Sequence, residues 1–79
     1  MSFEFAKDVF FDPFALEAYD ADHSVDEDRF RILGWVDTKI LLVVYTETEE
    51  QIRLISARPA KRAERNRYYE HEKEQSHRP

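Results

Sequence analysis

The sequence contains no cysteine. This absence excludes a disulfide framework, a zinc site built on thiolates and redox chemistry at cysteine, and it fits a protein of the cytoplasm. Long apolar runs are also missing, because the longest, Ile40 to Tyr45, is far too short to cross a bilayer. No signal-peptide pattern opens the chain. We therefore expect a cytoplasmic protein with no membrane association.

The small size of the chain limits its organisation. Seventy-nine residues are enough for one core, with a modest fraction of the surface buried on folding. Apolar residues make up 42% of the chain and aromatic residues 14%, which is too much for a disordered protein. We expect one domain over residues 1–79, with residues 76–79 frayed.

Charge is distributed unevenly along the chain. Residues 1–28 hold nine acidic residues and one lysine, a net charge of −8, within an overall charge of −5. Residues 51–79 hold eight basic and four acidic residues, a net charge of +4. This asymmetry indicates that the C-terminal part faces a polyanion or a charged partner.

The N-terminal third predicts a short helix, a short strand and a loop. Ser2 is a residue type that caps helices, and apolar residues follow it at helical spacing until Asp12–Pro13 ends the pattern. Apolar and other residues then alternate over 14–19, which predicts a strand. Residues 20–28 are acidic and predict a solvated loop.

Three later apolar runs predict an antiparallel meander. In the first run Phe30, Ile32 and Val36 fall on one face of the strand, and Leu33 and Trp35 fall on the other. The second, over 40–46, is unbroken and predicts a central strand buried on both sides. The third covers 51–56, and the polar connections between the runs are short.

A C-terminal helix should follow. Pro59 is typical of the first turn of a helix, with Ser56 nearby as a possible cap, and good helix formers continue to about Gln75. The predicted fold class is therefore α+β. It consists of an antiparallel sheet of three to four strands with a short N-terminal helix and a C-terminal helix.

At helical spacing, one narrow face of this last helix carries three guanidiniums and a phenol, from Arg58, Arg62, Arg65 and Tyr69. Such a face suits RNA, because arginine offers paired planar donors to phosphate, keeps its charge and stacks on bases. The same residues can instead form a solvated surface whose arginines pair with acids of the first segment. The helix pattern leaves both interpretations open.

Metal and cofactor sites are not predicted. The acidic loop around His23 contains an Asp-x-Asp pattern that hints at calcium, but Val25 stands where such a loop needs glycine. His71 and His77 are not at ligand spacing. Trp35 and the other large aromatic residues of the strands are interpreted as core or partner-facing surface, because the sheet lacks a paired RNA-recognition motif.

The order and spacing of several segments, spread over residues 2 to about 70, resemble the BrnT family of toxins. The matching segments are Ser2-Phe-Glu-Phe-Ala-Lys-Asp-Val-Phe10 with Asp12-Pro13, Asp22-His23-Ser24 with Glu27, Arg29-Phe30-x-x-x-Gly34, Leu41-Leu-Val-Val-Tyr-Thr-Glu47, and Ile52-Arg-Leu-Ile-Ser-Ala-Arg58 with Ala60. The matching single residues are His23, Glu27, Arg29, Arg58, Glu64, Arg65 and Tyr68.

This resemblance implies a RelE-like fold, RNA-cleaving activity and a ribbon-helix-helix antitoxin, BrnA-like, as partner. It also implies that promoter DNA is bound only by the toxin-antitoxin complex. Members of the family usually begin with an edge strand and a basic helix ending in Lys-His-Gly, whereas this sequence starts at Met1-Ser2. Two explanations stay open: a start assigned too late, or an N-terminally shortened toxin.

The first functional hypothesis is a metal-independent endoribonuclease, in which a ribose 2′-hydroxyl attacks the neighbouring phosphorus. Arg58 and Arg65 would stabilise the charge on the phosphoryl oxygens. His23 is one choice of proton acceptor. Tyr68 or Tyr69 is another, if the arginines lower the pKa of the tyrosine. The predicted RNA contacts are Lys61, Arg62 and Tyr69.

Two other hypotheses belong to different classes. A shortened toxin without catalytic activity could act as an antitoxin-binding module in promoter complexes. Alternatively, the basic helix could make the chain a free nucleic-acid-binding regulator, whose binding would weaken steeply with salt. The overall negative charge argues against the second of these.

Overall fold

The computed structural model describes residues 3–23 and 27–76. The elements are α1 (Phe3–Ala6), a first 3₁₀ helix (Lys7–Phe11), β1 (Leu16–Tyr19), a second 3₁₀ helix (Ala21–His23), β2 (Arg29–Val36), β3 (Lys39–Glu47), β4 (Ile52–Pro59) and α2 (Arg62–Ser76). The α+β class and both terminal helices are confirmed. Within these ranges, no helix combines the length and the apolar character that crossing a membrane requires.

The four strands form one antiparallel sheet in the order β1-β2-β3-β4. The predicted meander is confirmed as β2, β3 and β4, and the strand predicted in 14–19 is confirmed as β1, an additional strand at the edge beside β2. A two-residue turn joins β2 to β3, where Val36 lies opposite Lys39. Asp37 takes a positive φ of 58° there, a conformation that short polar residues tolerate.

Each face of the sheet carries its own apolar cluster, because side chains alternate along the strands. Under α1 and the first 3₁₀ helix, Val9 packs with Ile32 and Val43. On the opposite face, Leu33 and Leu42 pack with residues at and near α2. The opposite placement predicted for Ile32 and Leu33 is confirmed, as is the burial of β3 on both sides. We call the second face the α2 face.

Close contact between the first 3₁₀ helix and β2 depends on Gly34. A Cβ atom at this position would lie 2.6 Å from Val9 Cγ2, so only glycine allows the helix to lie so near the strand. Asp12, which follows the helix, adds a polar link: its Oδ1 accepts a hydrogen bond from Phe14 N (2.9 Å) and its Oδ2 accepts one from Trp35 N (2.8 Å).

The predicted start of the last helix is wrong. Ser56 and Pro59 belong to β4, and α2 begins only at Arg62. The strand continues because Ala60 N donates to Ile40 O (2.9 Å), and an edge strand tolerates a proline that has no N–H to donate. The predicted end near Gln75 is confirmed, since α2 extends to Ser76. The Ser2 cap and residues 77–79 lie outside the described residues.

Candidate functional site

The predicted row of guanidiniums on one helix face does not form. Arg58 lies in β4, where helical spacing does not apply, and its guanidinium contacts the side chain of Glu64 on α2. Arg65 instead donates from Nη1 to Ala60 O (2.8 Å). The prediction that Arg58 and Arg65 point the same way from one helix is therefore wrong, because it required helical backbone already at Arg58, which lies in β4.

Arg58 and Glu64 form a bidentate pair. Arg58 Nη1 donates to Glu64 Oε1 and Arg58 Nη2 donates to Glu64 Oε2, both at 2.8 Å. Oε1 also accepts a hydrogen bond from Lys61 N (2.7 Å), so Glu64 satisfies a free N–H at the start of α2. The Arg58 hydrogen bond lowers the pKa of Glu64 to about 2, and Glu64 in turn raises the pKa of Arg58. Both side chains are therefore charged at neutral pH.

This pairing leaves part of the Arg58 guanidinium available. An arginine side chain has five N–H donors, of which Arg58 uses two on Glu64 and one on Pro59 O (3.1 Å). Nε–H and the second N–H of Nη2 have no partner among the described residues. They lie side by side in the guanidinium plane, an arrangement that binds two oxygens of a phosphate. The Arg58 side chain is 41% exposed, so a ligand can reach these donors.

Two further arginines lie beside Glu64. Arg31 on β2 and Arg67 on α2 line the same small cavity of about 30 Å³ as Glu64. Within the described part of the chain, neither guanidinium makes a hydrogen bond or an ion pair. We call Arg31, Arg58, Glu64 and Arg67 the arginine site. Three guanidiniums around one carboxylate give it a net positive charge in an acidic protein, which favours an anionic ligand.

Strand register extends the basic surface along the α2 face. Arg29 on β2 and Arg53 on β4 lie opposite the same residue of β3, Thr46, and directly opposed residues share a face. Arg53 forms an ion pair of 2.8 Å with Glu27, and both side chains are exposed. The arginine site therefore lies at one end of a stripe of arginines.

Sequence reasoning missed Arg31 and Arg67 as site residues. Arg31 could have been recognised because it lies two residues before Leu33 on β2, and residues two apart on a strand share a face. Arg67 follows Glu64 by three residues on α2, the spacing of neighbours on a helix surface.

The other predicted RNA-contacting residues lie around the start of α2. Arg65 and Tyr69 line a second cavity of about 270 Å³, together with Trp35. Lys61 and Arg62 are exposed at the first turn of the helix. Arg62, Arg65 and Tyr69 are at helical spacing on α2 and share one face, whereas Arg58 belongs to β4.

Tyr68 lies inside the protein, not in an open site. Its side chain is fully buried and its hydroxyl donates a hydrogen bond to Asp12 Oδ2. Burial, followed by the hydrogen bond to Asp12, raises the pKa of Tyr68, whereas a tyrosine proton acceptor needs a lowered pKa. The hypothesis that arginines lower the pKa of Tyr68 is therefore wrong. His23 ends the second 3₁₀ helix, and its side chain lies outside the described residues.

The opposite face of the sheet has an apolar groove of about 290 Å³. It is lined by Phe10 and Phe11 of the first 3₁₀ helix, by Ile52 and Leu54 of β4, and by Lys7. Phe11 is 82% exposed and Ile52 is 48% exposed. Apolar side chains this exposed and this close together are typical of a protein-protein contact.

Residues 1–64 match the family model described as "Ribonuclease toxin, BrnT, of type II toxin-antitoxin system". No curated protein matches the chain. The matched range contains Arg31, Arg58 and Glu64 and ends in the first turn of α2. Of the arginine site, only Arg67 lies beyond it.

Proposed function

Because the chain belongs to the BrnT family of ribonuclease toxins of type II toxin-antitoxin systems, we propose that it cleaves RNA at the arginine site. Family membership makes RNA its substrate class and an antitoxin its partner. The observation that carries the choice of site is the bidentate Arg58–Glu64 pair, which fixes a guanidinium while two of its donors remain available.

In the proposed reaction a ribose 2′-oxygen forms a bond to the adjacent phosphorus, and the bond from phosphorus to the 5′-oxygen breaks. The products are a 2′,3′-cyclic phosphate and a 5′-hydroxyl. Negative charge builds on the non-bridging oxygens in the transition state, where the two available donors of Arg58 stabilise it. Arg31 and Arg67 bind neighbouring phosphates, and Lys61 and Arg62 bind the flanking strand.

Glu64 has a positioning role in this mechanism. A carboxyl group whose pKa is about 2 is a weak base at neutral pH, so it is unsuited to accept the 2′-hydroxyl proton. Its two hydrogen bonds instead hold the Arg58 guanidinium in one orientation, so little reorganisation is needed when the charge develops.

His23 is the proposed proton acceptor, because histidine has an unperturbed pKa of about 6.5. Asp20 N donates to Arg29 O (2.8 Å), which attaches the start of the His23 loop to the Arg29 end of the stripe. The choice of His23 therefore depends on its chemistry and not on the position of its loop. The proton goes from the 2′-hydroxyl to His23, and the leaving 5′-oxygen takes a proton from water to become the 5′-hydroxyl.

An RNA cleavage assay with identification of the products tests this proposal directly. Purified protein is incubated with a short RNA in EDTA, and the products are identified by mass spectrometry. We expect cleavage with a 2′,3′-cyclic phosphate end, and no cleavage where the nucleotide at the cut position carries a 2′-O-methyl group. Cleavage of the methylated RNA, or cleavage that EDTA abolishes, would contradict the mechanism.

We further propose that the apolar groove binds the antitoxin, a ribbon-helix-helix protein similar to BrnA. The groove offers Phe11 and Ile52 to an apolar segment. Lys7 of the lining is paired with Glu4 (3.3 Å), and the exposed Glu47 lies opposite Ile52, which gives this end of the groove a negative charge. Charge complementarity therefore favours a partner segment with apolar side chains flanked by basic residues.

A second candidate function is a toxin without catalytic activity that acts as the antitoxin-binding module of a promoter complex. The exposed groove favours it, because it offers a binding surface independent of the arginine site. Promoter DNA is proposed as a ligand of the complex alone, since the toxin chain carries a net charge of −5. Complex formation without any RNA cleavage selects this candidate.

A further inference from the structure

The second cavity, of about 270 Å³, lies on the side of α2 away from Glu64. Its aromatic walls are Trp35, which is half-buried, and Tyr69, whose side chain is 40% exposed. Trp35 was interpreted from the sequence as core or partner-facing surface, whereas it lines an open cavity. The cavity has room for a single planar ring system.

One carboxylate links the two segments that carry the aromatic walls. Asp12 Oδ2 accepts hydrogen bonds from the backbone N–H of Trp35 and from the hydroxyl of Tyr68. Tyr68 contacts Tyr69 edge to face, with ring centroids 5.9 Å apart and an interplanar angle of 78°. The backbone of Trp35 and the ring of Tyr68, which Tyr69 contacts, are therefore linked through Asp12, and this link limits their relative movement before a ligand binds.

Two cations lie beside these rings. Arg65 is held by its hydrogen bond to Ala60 O, and Lys39 makes no ion pair with any residue that the structure describes. None of the described residues that line the cavity is acidic. The site thus combines aromatic rings with uncompensated positive charge. Single-stranded nucleic acid is bound by this combination, because every base can stack and every linkage carries a phosphate.

We propose that this cavity is a nucleobase subsite, in which an unpaired RNA base stacks against Trp35 and Tyr69 while its phosphate contacts Lys39 and Arg65. The proposal rests on the proposed function for the class of ligand. The RNA then passes the start of α2, where Lys61 and Arg62 are exposed. The subsite positions single-stranded RNA for cleavage and excludes a duplex, whose bases are not available for stacking.

Trp35 is the only tryptophan of the chain, so its fluorescence reports binding in this cavity. The probe is a 2′-O-methyl RNA hexanucleotide, which cannot be cleaved by 2′-hydroxyl attack, and its comparison is the same backbone without bases. We expect saturable quenching of Trp35 by the first and little by the second. Tyr69→Ala should weaken binding by about tenfold, the typical loss for one stacked base. Tyr19→Ala, which removes an exposed tyrosine of β1, should leave it unchanged.

Equal quenching by both probes would overturn the subsite, because it indicates phosphate binding alone. The absence of quenching by a protein that cleaves RNA would also overturn the subsite, while leaving the nuclease proposal in place. Quenching by a protein that cleaves no RNA would instead support the subsite and contradict the nuclease proposal. The comparison of the two probes needs only the unmodified protein, so it holds even if Tyr69→Ala does not fold.

Discussion

The guanidinium of Arg58 and the carboxylate of Glu64 meet through two hydrogen bonds of 2.8 Å, from the end of β4 to the first turn of α2. The pair joins the sheet edge to the helix across the short connection of Ala60 and Lys61. It also explains why the helix starts where it does, since Glu64 satisfies the N–H of Lys61. Helix start and guanidinium orientation thus depend on the same carboxylate.

Acid should weaken the fold through Glu64. Its folded pKa of about 2 lies below the ordinary value of 4.5, so its contribution is present above pH 4.5 and is lost as the pH falls towards 2. We expect Glu64 to contribute about 1–2 kcal/mol to the free energy of unfolding at neutral pH. This is less than the full pKa shift implies, because Arg58 is partly exposed. Urea unfolding of the wild type and of Glu64→Gln at several pH values measures this difference.

The difference between wild type and Glu64→Gln should be largest at neutral pH and vanish near pH 2. Glu70→Gln is the control, because Glu70 is exposed on the same helix. If Glu64→Gln and Glu70→Gln gave the same small loss at all pH values, the Arg58–Glu64 pair would contribute nothing to stability.

Much of the fold could be predicted from the sequence because its strongest patterns are local. The opposite faces of Ile32 and Leu33 follow from the alternation of a strand, and the unbroken run of β3 follows from burial on both sides. Pro59 misled the prediction of the last helix. A proline fits both the first turn of a helix and an edge strand, and only the tertiary hydrogen bond from Ala60 N to Ile40 O decides between them.

The site was less predictable because its geometry depends on contacts between distant segments. Arg58 was identified as a site residue, but its partner depends on where α2 begins. The sequence allows Tyr68 as a proton acceptor, whereas its contact with Asp12, 56 residues earlier, places it in the interior. No local pattern encodes such a contact.

Gly34→Ala should destabilise the protein. The added Cβ would lie 2.6 Å from Val9 Cγ2 and 3.1 Å from Val9 O, so the first 3₁₀ helix must move away from β2. Overpacking of this kind costs about 1–3 kcal/mol. Thermal or urea unfolding measures this loss of stability. Ser56→Ala, a substitution at an exposed position of β4, is the control. An unchanged midpoint for Gly34→Ala would show that the helix does not lie this close to the strand.

Tyr68→Phe should lower the free energy of unfolding by about 1–2 kcal/mol, because it removes the hydrogen bond to the Asp12 carboxylate from a buried site. Tyr69→Phe is the matched control, since the Tyr69 side chain is 40% exposed. Urea unfolding of both variants gives the comparison. Equal stabilities would contradict the linking role assigned to Tyr68.

Phe11→Asp should weaken antitoxin binding by about 30-fold or more, as expected when a central apolar contact is replaced by a charge. The apolar groove has no other large side chain as exposed as Phe11 among the described residues. Calorimetry with the purified antitoxin measures the affinity. Loss of binding in Tyr69→Asp but not in Phe11→Asp would place the antitoxin on the α2 face instead.

The most direct test of the account is the rate of RNA cleavage by Arg58→Ala. If the two available donors of Arg58 stabilise the transition state, the rate constant should fall by about a hundredfold. Lys73→Ala, which removes a charge from an exposed position on α2, should cleave at the wild-type rate. Cleavage by Arg58→Ala at the same rate as by Lys73→Ala would contradict the assignment of the arginine site.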